Sequence, residues 1–280
     1  MATTAGVPSK ELDWLLQELT GIEPLVLRLE SFKGRETIKI RYPLPVLSQL
    51  WQQRLRQRCP IQYLAGMAHW RHFSLKVSTA VLIPRPETEC LIDLAIEALQ
   101  NSPKPLSGSR QWADLGTGSG AIALGLAEAD PSATIHAVDC SASALAIAQQ
   151  NAQKLDLAER IQFYQGSWWE PLETLKGQLT GMVANPPYIP SGLLPQLQPE
   201  VYAHEPHLAL DGGSDGLDCI RELIATSGDY LCPGGVWLIE MMAGQATAVA
   251  ELLRQQGSYC QIQIVADLAG IERFAIAYQR

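Results

Sequence analysis

An α/β fold, with a mostly parallel sheet covered by helices on both faces and a helical segment ahead of it, is what this 280-residue sequence predicts. Three observations carry the prediction. From Gln111 onward short apolar strands alternate with helices. A glycine-rich turn, Asp114–Gly120, joins the first of those strands to a helix. The first sixty residues are helical in rhythm, and the chain's basic charge is concentrated in its N-terminal part.

Taken in order, Leu12, Leu15, Leu16 and Leu19 recur at helical spacing, and Gly21 suits the left-handed residue that ends a helix. Val46, Leu47, Leu50 and Leu55 form a second stripe, in a helix predicted to begin after Pro45 and to end near Pro60. Its outer face carries Arg54, Arg56 and Arg58. Phe73, Leu75 and Val77 then alternate as a strand, with Val81–Ile83 as its expected return partner. A helix follows Pro86, where proline suits the first turn and Glu87 and Glu89 suit the positive helix end. Asn101–Arg110 is rich in Pro and Ser and reads as a loop. Strands are expected at Trp112–Leu115, Thr134–Asp139, Ile161–Gln165, Gly181–Ala184, Val236–Glu240, Ile262–Ala266 and Phe274–Ala277, with helices at Ala121–Ala129 and Ala142–Leu155. The last connection, through Gly270, is too short for a crossover helix, so the final strand is expected to insert antiparallel.

Composition narrows the function. With 47% hydrophobic residues the chain can bury a core, which excludes wholesale disorder. No apolar run approaches the roughly 20 residues a membrane span needs, and the N-terminus lacks the apolar stretch of a secretory signal. A cytoplasmic protein is expected. The net charge of −8 argues against a chain built mainly to neutralise nucleic-acid phosphates. It is also unevenly placed: residues 1–80 hold 11 Lys/Arg against 6 Asp/Glu, a net of +5, and residues 81–280 hold 10 against 23, a net of −13. Such a split predicts a basic module joined to an acidic one, with different partners. The six cysteines are scattered with no CxxC pair and read as reduced thiols. His204-Glu205-Pro206-His207 has the wrong spacing for a zinc-protease helix, and Pro206 would disturb that helix, so no metal is expected.

Two segments carry the chemistry. In Asp114-Leu115-Gly116-Thr117-Gly118-Ser119-Gly120, glycines let backbone approach a ligand closely, and Asp139, 19 residues past Gly120, ends the next strand where a carboxylate can accept from both ribose hydroxyls. Together they point to an adenosine-containing cofactor. No Lys-Ser/Thr follows the glycines, which excludes a triphosphate loop, and no nicotinamide pocket or proton-transfer residue supports a dehydrogenase. The second segment is Asn185-Pro186-Pro187-Tyr188, directly after a predicted strand. Its prolines remove two N–H donors and leave carbonyls as acceptors, the Asn185 side chain adds another acceptor, and Tyr188 offers a flat face. A site rich in acceptors and short of donors suits an NH2 group.

These segments resemble the motifs of S-adenosylmethionine-dependent N-methyltransferases. Pro60–Gly66, Leu82–Glu89, Glu205-Pro206, Leu210–Gly213 and Asp267–Phe274 are further similar to the HemK-type (PrmC) enzymes that methylate peptide-chain release factors. The resemblance implies a Rossmann-like seven-stranded methyltransferase sheet (residues 85–280), a helical release-factor-recognition domain (1–70) and a β-hairpin linker (71–84). It implies N5 methylation of the glutamine in the Gly-Gly-Gln loop of class I release factors, with S-adenosyl-L-methionine as cofactor and S-adenosyl-L-homocysteine as product. Gly116, Thr117, Gly118, Ser119, Gly120, Asp139, Trp168 and Asn185 match cofactor-binding positions, and Asn185, Pro186, Pro187 and Tyr188 the catalytic clamp. Trp169 is expected in the core. Arg85, Glu87 and Glu89 match a segment bordering the pocket, although helix-start charge explains the glutamates equally well. Ser167 and Met241-Met242 depart from the family pattern. An adenine-N6 enzyme acting on DNA or RNA is the alternative, against which the charge of the catalytic region counts; no nucleic-acid substrate and no membrane partner are expected. The +5 balance suggests docking on an acidic release-factor surface through Arg54 and Arg56.

Overall fold

A computed structural model describes residues 7–29, 42–106 and 108–280. The chain opens with helices α1 (Ser9–Thr20), α2 (Pro24–Arg28), α3 (Leu44–Gln57) and α4 (Ile61–Ala65). Leu15, Leu19, Leu47 and Ile61 are buried together between them. Gly21 ends α1 at φ 76°, its N–H donating to the Gln17 carbonyl. Helix α3 starts before Pro45 rather than after it, because a proline in the first turn gives up an N–H that has no helical acceptor anyway.

Strands β1 (Met67–Trp70) and β2 (Phe73–Lys76) form an antiparallel hairpin. This corrects the predicted 71–84 hairpin, which paired Phe73–Val77 with Val81–Ile83. The return strand lies upstream, and Val81 and Ile83 are buried without pairing, packed with Ala68, Val77, Ala144 and Ile147. Pro84 and Pro86 cannot donate to a ladder, so the stretch that contains them makes no strand. A tight turn at Glu87–Glu89 leads into α5 (Cys90–Gln100).

The sheet then assembles from β3 (Gln111–Leu115), α6 (Ala121–Ala129), β4 (Thr134–Asp139), α7 (Ala142–Lys154), β5 (Ile161–Gln165), β6 (Leu179–Ala184), α8 (Pro199–His204), α9 (Asp218–Thr226), β7 (Leu231–Glu240), α10 (Ala246–Gln256), β8 (Tyr259–Ala266) and β9 (Glu272–Gln279). The strand order is β5-β4-β3-β6-β7-β9-β8. Strands β3 to β7 pair in parallel, and β9 inserts antiparallel between β7 and β8, as the short Gly270 turn requires. Side chains alternate between two cores. Trp112, Val183, Val236 and Leu238 pack with α5 and α6 on one face. Ala113, Met182, Trp237 and Ile239 pack with α9 and α10 on the other. Among the described residues no helix is long and apolar enough to cross a membrane.

After β3 the chain builds outward through β4 and β5, then returns with β6 on the other side of β3. Connections leaving β3 and β6 therefore diverge, and the crevice between them lies at the strands' C-terminal ends, the usual ligand position in such sheets.

Candidate active site

Register alone brings the two motifs together. Asp114 pairs with Val183 and Leu115 with Val138, so the glycine turn, Asn185 and Asp139 emerge side by side. They open on a cavity of about 300 Å3, whose walls include Gly116, Thr117, Gly118, Ser119, Asp139, Trp168, Asn185 and Pro187. Gly120, Pro186 and Tyr188 are not part of that wall. Gly120 begins α6 at φ 84°, where a Cβ would press on Ala148 at 3.1 Å, so it serves close helix packing.

The glycine turn is held from below and from the side. Asp114 is fully buried; its Oδ2 accepts from the Thr117 hydroxyl (2.6 Å) and from the Ala123 N–H (2.9 Å) at the start of α6. Burial pushes this carboxyl up to about 7, against those two hydrogen bonds. Asp139 Oδ2 accepts from the Gly118 N–H (2.9 Å) and Oδ1 from the Ser141 N–H (2.9 Å). Burial raises its pKa too, opposed by the same backbone donors. Above Gly118 the space is open, since a Cβ there would meet nothing within 4 Å. Trp168 lies over Gly116, with ring carbons 3.5 Å from where a Cβ would stand, and holds a left-handed φ of 46°. That conformation is costly for a tryptophan and turns the ring to the cavity. Trp169 points the other way, buried and stacked on Tyr230. An exposed glycine backbone, an acceptor carboxylate and an aromatic wall are a donor set that fits an adenosine-containing cofactor.

On the opposite side, the Asn185 side-chain NH2 donates to Thr88 Oγ1 (3.2 Å), and the Thr88 hydroxyl donates to Glu240 Oε2 (2.7 Å). Tyr188 OH donates to the other Glu240 oxygen (3.1 Å). Burial raises the Glu240 pKa, against these two hydrogen bonds and Arg273, and burial together with Glu240 raises that of the Tyr188 phenol. Gln245 locks the backbone behind the motif, its side-chain NH2 donating to the carbonyls of Tyr188 (3.0 Å) and Gly216 (3.1 Å). The Leu210–Gly213 motif supports the same turn: Ile189 N–H donates to Leu210, and Gly212 N–H donates to Ile189. Gly216, at φ 78°, lets the two segments approach, for a Cβ there would stand 2.3 Å from the Tyr188 carbonyl oxygen. Gly216→Ala is therefore expected to cost about 2–4 kcal/mol and to reduce turnover by displacing the motif. Thermal unfolding and initial rates check this, with Gly192→Ala, which has room for a methyl, an ordinary φ and no place in the cavity wall, as the comparison.

The remaining wall includes Pro206, Leu208 and Ala209, from the segment between β6 and α9. This segment is tied at two points. Arg85 places Nη2 at 2.7 and 2.8 Å from the two oxygens of the buried Glu205. Arg54, buried in α3, pairs with Glu11 and with Glu200 of α8 (2.8 Å), and Arg58 adds a second contact to Glu200 (2.6 Å). Arg54 is thus internal and unavailable to dock a partner; Arg56 is the exposed arginine of that helix. His204 and His207 each donate to a backbone carbonyl, of Gln57 and Tyr202. Glu89 accepts from the Arg71 N–H (2.7 Å) and steadies the β1–β2 turn, whereas Glu87 is exposed.

A family model for the methyltransferase small domain matches residues 92–193. Among solved structures, the hMettl16 catalytic domain superposes with a TM-score of 0.60 at 14% identity, over 94% of this chain and 88% of that one, a likeness of fold. Sheet order, crevice and the family-model match define a Rossmann-like methyltransferase fold. A release factor glutamine methyltransferase of Synechocystis sp. is 55% identical over 277 residues, 99% of this chain and 92% of the relative. One from Thermosynechococcus vestitus is 48% identical over 268 residues, 96% and 90%. The chain belongs to the release factor glutamine methyltransferase family.

Proposed function

We propose that this chain is a cytoplasmic enzyme that methylates the side-chain amide nitrogen (N5) of the glutamine in the Gly-Gly-Gln loop of class I peptide-chain release factors. S-adenosyl-L-methionine supplies the methyl group from its sulfonium and is left as S-adenosyl-L-homocysteine. The observation that carries the reading is the meeting of two unlike walls on one cavity: a glycine turn with Asp139 on one side, and Asn185 on the other.

On this reading Asp139 accepts from ribose hydroxyls, the Gly116–Ser119 backbone lies against the cofactor, and Trp168 packs on its adenine. Asn185 Oδ1, on the cavity wall, accepts one N–H group of the substrate amide, and the carbonyl of the adjoining Pro186, a residue buried outside that wall, accepts the other once the substrate is seated. An amide nitrogen is a poor nucleophile because its lone pair is conjugated with the carbonyl. Two fixed acceptors orient it for in-line attack and stabilise the positive charge that develops on it. Proton loss accompanies or follows attack and requires no strong base. Residues 1–70 recognise the release factor, with Arg56 on the exposed face of α3.

The test is mass spectrometry of a class I release factor after incubation with the chain and S-adenosylmethionine. A methyl-sized gain on the Gly-Gly-Gln glutamine is expected. Its absence, in protein shown to bind cofactor, would overturn the reading and favour an adenine acceptor. Asp139→Ala is expected to weaken cofactor binding by about 10–100-fold, since hydrogen bonds to a charged group contribute about 1.5–3 kcal/mol. Calorimetry with S-adenosylhomocysteine measures it directly.

A further inference from the structure

We propose that Glu240, acting through the Thr88 hydroxyl, is the positioning residue that fixes which end of the Asn185 amide faces the cavity. The proposal rests on the amide-methylation reading above and adds to it two residues outside the clamp motif.

The argument is one of counting protons. Thr88 has a single O–H, and it is given to Glu240 Oε2 at 2.7 Å. Only lone pairs are then left on Thr88 Oγ1, so the Asn185 group that meets it at 3.2 Å must be the NH2. Asn185 Oδ1 is thereby turned away from Thr88, and Asn185 lines the cavity. The second Glu240 oxygen accepts from Tyr188, so the carboxylate receives a donor on each oxygen and works as an acceptor alone. Without the relay, the two ends of an asparagine amide differ little in shape, and either could face a ligand. With Nδ2 toward the cavity, an N–H would oppose the N–H of the substrate.

Burial strengthens the case. Glu240 and Thr88 are 1% and 4% exposed, and Glu240 stands between Ile239 and Met241, both fully buried. Taking a carboxylate out of water costs several kcal/mol. A fold that places one at the end of β7, next to the strand that presents Asn185, accepts that cost for the orientation it imposes.

The chain has three asparagines, Asn101, Asn151 and Asn185, so protein labelled with 15N-asparagine gives three side-chain NH2 pairs. Asn185→Asp identifies the pair of interest by its loss. Thr88→Val and Glu240→Leu, which removes the acceptor altogether, are each expected to shift that pair and to lower kcat on release factor by about 10–100-fold, or about 1.4–2.7 kcal/mol. The Kd for S-adenosylhomocysteine should stay within about threefold. Thr88→Ser keeps the hydroxyl and is expected to leave the NH2 pair in place and to restore kcat. The Thr88→Val, Glu240→Leu double variant should be no worse than either single one, because both break one relay. An unmoved NH2 pair in Thr88→Val overturns the proposal, as does a Thr88→Ser variant as slow as Thr88→Val, which would make the role one of shape. If the wild-type chain methylates no release factor, the functional reading falls, while the NH2 pair still decides the relay.

Discussion

Asn185→Ala is expected to lower kcat for release-factor methylation by about 10²–10³-fold, the loss typical of removing one fixed hydrogen-bonding group from a charge-stabilising site. The expectation follows from position. Asn185 is half-buried directly after β6, on the cavity wall facing the Asp139 side. The backbone on either side is held by other groups, with Ala184 in the sheet and the Tyr188 carbonyl bonded to Gln245. Truncation therefore deletes an acceptor without loosening the segment that carries it. Unfolding midpoint and secondary structure should stay close to wild type, and cofactor affinity should change by much less than turnover. Single-turnover rates with saturating cofactor, beside a calorimetric Kd, separate the two effects. A variant with wild-type kcat would remove Asn185 from the chemistry.

Arg54→Ala carries the largest expected loss of stability, roughly 3–5 kcal/mol, because it leaves Glu11 and Glu200 facing each other with the central cation gone. The pH dependence has a definite sign. Burial alone would raise the Glu200 pKa, but its hydrogen bonds and the charges of Arg54 and Arg58 outweigh this and leave it below the ordinary glutamate value. A depressed carboxyl pKa contributes stability that is fully present above the unfolded value, about 4.3, and is lost as pH falls through the folded one. The gap between wild type and Arg54→Ala should therefore be widest near neutral pH and should narrow below about pH 4. Denaturant titrations at the two pH values measure it. A gap that persists in acid would assign the role of Arg54 to packing of its stem. The same substitution should raise hydrogen exchange in α8, which Arg54 ties to the helical unit.

The fold was largely legible in the sequence because its signals are local. Each sheet strand was visible as a short apolar run bounded by turn residues, and the antiparallel position of β9 followed from the length of the Gly270 turn. Strand β7 begins five residues before the predicted Val236, since Cys232-Pro233-Gly234-Gly235 carries turn residues that the ladder takes up as a bulge, the pairing with β6 jumping from Leu179–Leu231 to Gly181–Val236. The β1–β2 hairpin was misplaced for a related reason: Val81 and Ile83 are apolar because they are buried, and their neighbouring prolines forbid pairing. In the site, Asp139 and Asn185 could be read because each ends a strand beside a recognisable turn. Glu240 ends a strand in the same way, and the rule that singled out Asp139 would have found it. Thr88 left no such trace, lying between two glutamates in a turn whose inward side no periodicity marks. The internal position of Arg54 was equally hidden, since a helix stripe shows which face is apolar and not which arginine meets two carboxylates from other segments.

The hydrogen bonds that join Asn185 to Thr88 and Thr88 to Glu240 span 97 and 152 residues of chain. This gives the site a place in time. During synthesis the glycine turn and Asp139 can form as soon as β3 and β4 have emerged, but the Thr88 hydroxyl lacks its acceptor, Glu240, until β7 has been made. Closing such long loops is slow compared with forming the helices and turns they connect. A chain interrupted anywhere before residue 240 would carry half of the cavity without the group that completes the other half, so competence to act arrives late and all at once.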